Sequence, residues 1–207
     1  MGKDWCKGFT IIELVLTLIV ASILIAIAVS SFRNTTRSNH LFVHVNSFVS
    51  AMQFARSEAI KRSTPVTLRR GRFVDSSGNF VDSGGSWQGQ WEDGWEIFID
   101  PEPTNGEKDG NAPLRVGGPL PKTFTLRSNS IIANRISYRA NGRSSNGSVV
   151  LCDDRDGNGV PESGTARMIV LLNTGRVRIA EDNSNGIPIS SSGTEIDSCI
   201  PPFTPPS

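Results

Sequence analysis

Two arginines near the C-terminal end of the chain, Arg176 and Arg178, have the types and spacing of a phosphate-binding pair. Residues 168–179 have the pattern of a β-hairpin that turns at residues 173–175. On the returning strand the two guanidinium groups share one face, about 6.6 Å apart, and each could hold a phosphate of a nucleic-acid backbone without reading its sequence. Arg143, in another loop, could extend the basic surface. The pattern indicates non-specific DNA binding. The alternative is that Arg176 and Arg178 form a solvated strand face or make ion pairs.

A second group of candidate ligands is rich in oxygen. Asp154, Asp156 and Asn158, followed by Gly159, match the opening of a calcium-binding loop. The match then fails, because the twelfth position is Thr165 rather than Glu. We favour a solvated turn here and keep the calcium site as the alternative.

Catalytic machinery is not visible in the sequence. His40 and His44 lie on one helical face, but no third metal ligand accompanies them, so we favour a solvated or packed pair. No nucleophile, base and orienting group occur together, and no phosphate-binding glycine loop is present. We therefore expect no enzymatic activity, no catalytic residue and no cofactor. The formal net charge of +1 says little about partners.

The three cysteines of the chain fall into two groups by their position in the sequence. Cys6 precedes a long apolar segment, whereas Cys152 and Cys199 lie in the distal half. If processing removes Cys6, an even pair remains in a chain exported past a membrane, which favours a disulfide between Cys152 and Cys199 over two free thiols.

The elements that must position these residues follow from periodicity. Residues 14–32 carry no charge and nearly span a bilayer, and Lys3 and Lys7 before them are typical of a cytoplasmic flank. Apolar residues then recur at steps of three and four, which predicts a helix that ends near Arg62, before Pro65. Short strands separated by turn residues follow. They are predicted at 66–70, 95–99, 123–126, 136–139, 148–151, 167–172 and 176–179.

Three tryptophans, Trp87, Trp91 and Trp95, fall four residues apart, but intervening glycines argue against a helical stripe. We expect packing in the core or under loops, and stacking on a sugar or base is the alternative.

The N-terminal segment Lys7-Gly8-Phe9-Thr10-Ile11-Ile12-Glu13-Leu14 resembles the signal of type IV pilins and type II secretion pseudopilins. The resemblance implies that a prepilin peptidase cuts after Gly8 and methylates Phe9. It also implies that Glu13, a costly carboxylate in an apolar helix, pairs with the Phe9 amine of a neighbouring subunit. The alternative is an ordinary anchor with Glu13 at the membrane interface.

The head resembles the FimT/GspH family of minor pilins and pseudopilins, and FimT most closely. The resemblance rests on Gly94-Trp95-Glu96-Ile97-Phe98, on Cys152 after an apolar strand, and on Gly175-Arg176-Val177-Arg178. It implies DNA binding through Gly175, Arg176 and Arg178 for uptake in natural transformation. The alternative is a GspH-like minor pseudopilin of a type II secretion system, structural or priming, that binds no DNA.

The implied fold is α+β and type IV pilin-like, a long N-terminal helix packed on a β-rich head. The expected segments are a leader cleaved from residues 1–8, a transmembrane helix over 9–32, a periplasmic amphipathic half of the helix over 33–63, a β-rich globular head over 64–200 and a flexible proline-rich tail over 201–207. The head is expected in the periplasm of a bacterium, anchored in the inner membrane or incorporated in a filament. The implied partners are prepilin peptidase, other pilins or pseudopilins, the inner membrane and DNA.

Overall fold

A computed structural model of the chain describes residues 10–71, 90–101, 113–189, 195–196 and 198–199. The chain divides into two compact units, Met1–Asn39 and His40–Ser207, and a single α-helix, α1, covers Ile11–Arg62. In the first unit, the 18-residue segment Ile11–Ala28 of α1 is predominantly apolar and exposed, and it is long and apolar enough to cross a membrane. This fits the predicted transmembrane segment.

The C-terminal end of α1 lies where the sequence predicts it, at Arg62. Ser63 adopts a positive φ of 50°, and the backbone N–H of Thr64 still donates to the carbonyl of Ala59 at 3.2 Å. Pro65 has no N–H to continue the helix and disfavours helical geometry at the residue before it. The chain therefore leaves the helix directly into a strand.

The rest of the second unit consists of short antiparallel strands and two 3-10 turns. The first sheet has the order β3-β2-β1-β5, and the second sheet has the order β4-β6-β7-β8. The strands are β1 (Val66–Arg70), β2 (Trp95–Ile99), β3 (Arg115–Gly117), β4 (Phe124–Ser128), β5 (Arg135–Tyr138), β6 (Gly147–Asp153), β7 (Ala166–Leu171) and β8 (Val177–Ile179), and the turns are Trp91–Asp93 and Ser130–Ile132.

The sequence locates most of these strands. β1 and β2 have the predicted bounds, and β4 to β8 differ from theirs by one or two residues at an end. Arg176 in particular precedes β8 instead of beginning it. β3 was not predicted, because it has only three residues, the last of them a glycine, and these are too few to show alternation.

One face of α1 forms the centre of the core. The apolar positions predicted to share a face are all buried, and they pack against the inner faces of both sheets. An α+β head is thus confirmed. The helix contributes Leu41, Val45, Phe48, Met52, Ala55 and Ala59, the first sheet contributes Val66, Leu68, Ile97, Ile136 and Tyr138, and the second sheet contributes Phe124, Leu126, Val149, Leu151, Ile169 and Leu171.

Two of the three tryptophans belong to this core. Trp91 is buried, its ring packs edge-on against Phe48 with centroids 5.5 Å apart, and its indole N–H donates to the hydroxyl of Ser128 at 3.0 Å. Trp95 is also buried. The expectation of core packing is confirmed for both, whereas Trp87 lies outside the described residues.

A smaller apolar cluster covers the outer face of the second sheet. It joins β6 and β7 to the C-terminal segment through Val150, Met168, Ala180 and Ile196. Cys152 and Cys199 form a disulfide within it, with Cα atoms 6.0 Å apart. This bridge holds the C-terminal segment on the sheet.

Replacing both cysteines by alanine is expected to lower the free energy of unfolding by about 4 kcal/mol, because the bridge closes a loop with a sequence separation of 47 residues. Urea unfolding of the head fragment, residues 37–207, measures this loss. The wild-type fragment under reducing conditions is the control and should unfold at the same urea concentration as the double variant. An oxidised wild type with that same midpoint would contradict the prediction.

Candidate functional site

The turn between β7 and β8 is a tight hairpin. The N–H of Gly175 donates to the carbonyl of Leu172 at 2.8 Å, and the N–H of Leu172 donates to the carbonyl of Arg176 at 3.0 Å. Gly175 has a φ of 75°, in the left-handed region. The turn therefore lies at residues 173–175, as the sequence predicts.

Strand register decides which way the two arginines face. Arg178 lies opposite Val170, and its neighbour Val177 lies opposite Leu171, a residue of the helix-side core. Partners across an antiparallel pair share a face, so Arg178 is on the outer face of the sheet. Arg176, two residues earlier, shares that face by alternation, and both side chains are exposed.

A second glycine–arginine turn follows β5. The N–H of Gly142 donates to the carbonyl of Arg139 at 2.7 Å, and the N–H of Arg139 donates to the carbonyl of Arg143 at 2.8 Å. Gly142 has a φ of 74°. Arg139 and Arg143 are both exposed at this turn.

The two turns touch each other. The N–H of Ser144 donates to the carbonyl of Asn173 at 3.3 Å, and a Cβ at Gly175 would overlap the carbonyl oxygen of Gly142. Arg143 and Arg176 each follow one of these two glycines. The structure thereby brings together two sites that the sequence joined only by composition. We call residues 139–144 and 172–178 the double turn.

Arg56 of α1 joins both halves of the double turn. Its Nε donates to the carbonyl of Gly142 at 3.1 Å, and its Nη2 donates to the carbonyl of Thr174 at 3.2 Å. Sequence reasoning missed Arg56 and Arg139. The available signal was that residue 56 falls four after the buried Met52, at the margin of the buried helical face.

Four exposed arginines, Arg139, Arg143, Arg176 and Arg178, lie together on the double turn. Among the described residues, no ion pair involves any of the four exposed arginines. Several other arginines of the head are paired with carboxylates, as in Arg69 with Glu96 and Arg127 with Glu92. The exposed four, Arg139, Arg143, Arg176 and Arg178, present positive charge to solvent.

The loop with calcium-like spacing uses its oxygens internally. Asp154 Oδ1 accepts the N–H of Gly159 at 3.0 Å, and the Asn158 side-chain oxygen accepts the N–H of Val160 at 2.7 Å. Asp156 accepts the side-chain amide of Asn158 at 2.5 Å. These contacts are those of a hydrogen-bonded turn. No cluster of three or more potential metal ligands occurs in the described ranges.

The histidine pair lies on α1. The ring of His44 packs edge-on against Phe124 with centroids 4.8 Å apart. Burial, and then the neighbouring His40, lower the pKa of His44. A packed histidine accounts for this geometry.

At the other end of α1, Thr10 caps the helix. Its Oγ1 accepts the N–H of Glu13 at 3.3 Å, and Glu13 is exposed in the first turn. Thr10-Ile11-Ile12-Glu13 has the spacing of a capping box. Gly8 and Phe9, the predicted processing site, lie outside the described residues.

A capped apolar helix, followed by a helical face that packs on two antiparallel sheets, defines a pilin-like subunit. The sequence model of the family described as type II transport protein GspH matches residues 44–175, more than half of the chain. The chain belongs to this family of minor pilin-like and pseudopilin-like proteins. The match reaches Gly175 and stops before the two hairpin arginines.

A solved structure supports the same fold. A crystal structure of the type IV minor pilin FimU from Pseudomonas aeruginosa has a TM-score of 0.50 and 18% identity, covering 78% of this chain and 96% of that one. A second crystal form of FimU has a TM-score of 0.46 and 17% identity, covering 80% and 99%. No curated protein sequence matches the chain. The predicted type IV pilin-like fold is confirmed by the first of these structures.

Gly175→Ala is expected to lower the free energy of unfolding by roughly 3 kcal/mol or more. The left-handed backbone alone costs alanine about 1–2 kcal/mol, and the overlap with the Gly142 carbonyl adds to it. Gly157→Ala is the matched control, because Gly157 also has a positive φ, 70°, but has open space around its Cα. Equal losses for the two variants in urea unfolding of the head fragment would contradict a close approach of the turns.

The pKa of His44 predicts a pH dependence of stability. The unfolded chain binds a proton near the usual pKa of 6.5, whereas folded His44 binds it only at lower pH. The free energy of unfolding should therefore fall as pH drops below about 6.5. His44→Gln should flatten this part of the profile, and His40→Gln, at an exposed position, should retain most of it. An unchanged slope in His44→Gln would rule His44 out as the source.

Proposed function

We propose that the chain is a FimT-like minor type IV pilin that binds DNA without sequence preference for uptake in natural transformation. The observation that carries the proposal is the set of exposed arginines on the double turn, unpaired among the described residues. Guanidinium groups without carboxylate partners are available to phosphates, and phosphate contacts supply most of non-specific DNA affinity.

The position of the arginines supports this use. Arg176 and Arg178 share the outer face of a hairpin at the edge of the second sheet, where a long polyanion can approach without displacing the core. Arg143 adds a third charge from the adjoining turn. Contacts to several phosphates of one backbone add up, because each releases counterions from the DNA.

The proposal includes the assembly of the subunit. Prepilin peptidase removes residues 1–8 after Gly8 and methylates Phe9, and residues 9–32 hold the subunit in the inner membrane with the head in the periplasm. Glu13 is then neutralised by the Phe9 amine of a neighbouring pilin in the filament. The exposed apolar stretch of α1 and the place of Glu13 in its first turn support this part.

A GspH-like minor pseudopilin that binds no DNA is the second candidate. The observation that favours it is the extent of the family match, which covers most of the head but not Arg176 or Arg178. In that case the subunit would prime or complete a type II secretion pseudopilus, and the double turn would be a solvated surface.

The test is DNA binding by the head fragment, residues 37–207, and by its Arg176→Ala/Arg178→Ala variant. Wild-type affinity is expected to fall steeply with salt and to be equal for unrelated sequences. Losing two phosphate contacts should make the negative slope of log K against log salt shallower by about 2 units. Lys122→Ala/Arg155→Ala removes the same charge at the opposite end of the second sheet and is the control. Equal affinities of wild type and the hairpin variant would exclude this site.

The hairpin variant and a deletion of the subunit together separate the two candidate functions in the host. Loss of transformation with intact piliation would support DNA uptake. A secretion defect caused by deleting the subunit, with transformation unaffected, would support the pseudopilus instead.

A further inference from the structure

We infer that Arg56 is a positioning residue for the DNA-binding arginines, because it locks the two halves of the double turn into one cationic surface. The inference rests on the proposed DNA binding and extends it to a residue in α1. It explains how charges from two loops that are far apart in the sequence act together on one polyanion.

The contacts of Arg56 are of a kind that positions backbone. Its Nε and Nη2 donate to the carbonyls of Gly142 and Thr174, one in each turn, at 3.1 and 3.2 Å. A planar guanidinium fixes the direction of both bonds at once, which a lysine ammonium does not. Arg56 thus bridges the turns and ties both to the helix.

The glycines make room for this bridge. A Cβ at Gly175 would lie 3.0 Å from Arg56 Nε, in addition to overlapping the Gly142 carbonyl, and a Cβ at Gly142 would lie 2.7 Å from Ile60 Cδ1. Both turns must therefore lack a side chain where they meet α1. The residue after each glycine is an exposed arginine, Arg143 or Arg176. The bridge consequently sets the separation of these two arginines.

Arg56 itself is poorly placed to be the main phosphate ligand. It is half-buried, and two of its N–H groups are already committed to carbonyls. Its contribution to binding is the preorganisation of its neighbours, which lowers the cost of ordering a site when the ligand arrives.

The experiment compares full-length chains in non-ionic detergent, with a 30-base-pair DNA duplex as the probe. Arg56→Lys keeps the charge but replaces two nitrogens in fixed positions with a single freely rotating ammonium, so we expect its affinity to fall about tenfold. Arg56→Ala should fall at least as far. Arg62→Ala is the control, because it removes one exposed charge from the same helix and contacts Glu58 rather than the turns.

A spectroscopic reading separates positioning from direct contact. In the wild type, DNA should shift the Nε–H resonances of Arg176 and Arg178 and leave that of Arg56 nearly unchanged. Adding Arg56→Lys to the Arg176→Ala/Arg178→Ala variant should cost less affinity than it does in the wild type, because Arg176, one of the two arginines whose separation Arg56 sets, is already gone.

The outcomes distinguish this inference from the proposed function. Wild-type affinity in Arg56→Lys, together with weak binding by the hairpin variant, overturns the role of Arg56 and leaves DNA binding intact. Wild-type affinity in the hairpin variant overturns both. If Arg56→Ala fails to fold, Arg56→Lys carries the comparison alone, and its full affinity overturns the inference.

Discussion

Burial of one face of α1 against two separate sheets is the interaction on which the rest of the head depends. The described strands form two ladders without a shared strand, so no continuous ladder joins the two sheets. The apolar residues of α1 that recur at steps of three and four from Leu41 to Ala59 pack in one core with the inner faces of both sheets. Because the buried positions fix the rotation of the helix, they also fix where its marginal residues point. Arg56 reaches both turns because Met52 and Ala59 are buried beside it.

The distribution of charge follows the same division between interior and surface. An arginine in a low-dielectric interior requires a partner, and the buried Arg69 has Glu96 while Arg127 has Glu92. The formal net charge of the whole chain is nevertheless only +1. The double turn brings together four arginines that are exposed and make no ion pair among the described residues. A local excess of positive charge can exist on a nearly neutral chain for this reason.

Local signals predict the local structure well. Pro65 marks the end of the helix, alternation gives β1 and β2, and the turn residues place the β7–β8 hairpin. β3 was not predicted, because three residues are too few to show an alternating pattern of apolar and polar side chains. The site is less predictable, because Arg56 lies 86 residues from Gly142 and 118 from Thr174. No spacing rule connects residues so far apart, and Arg143 could be linked to Arg176 only through the packing that brings their glycines together.

The Gly-Arg-any-Arg segment combines two unlike requirements. Gly175 is required by the fold, since its backbone conformation and its contact with Gly142 both exclude a side chain. Arg178 lies on the edge strand β8 and Arg176 directly precedes it. Neither makes an ion pair among the described residues, so the fold places no comparable demand on them. The family match over residues 44–175 therefore includes the glycine that the fold requires. It ends one residue before the two arginines on which the proposed DNA binding depends.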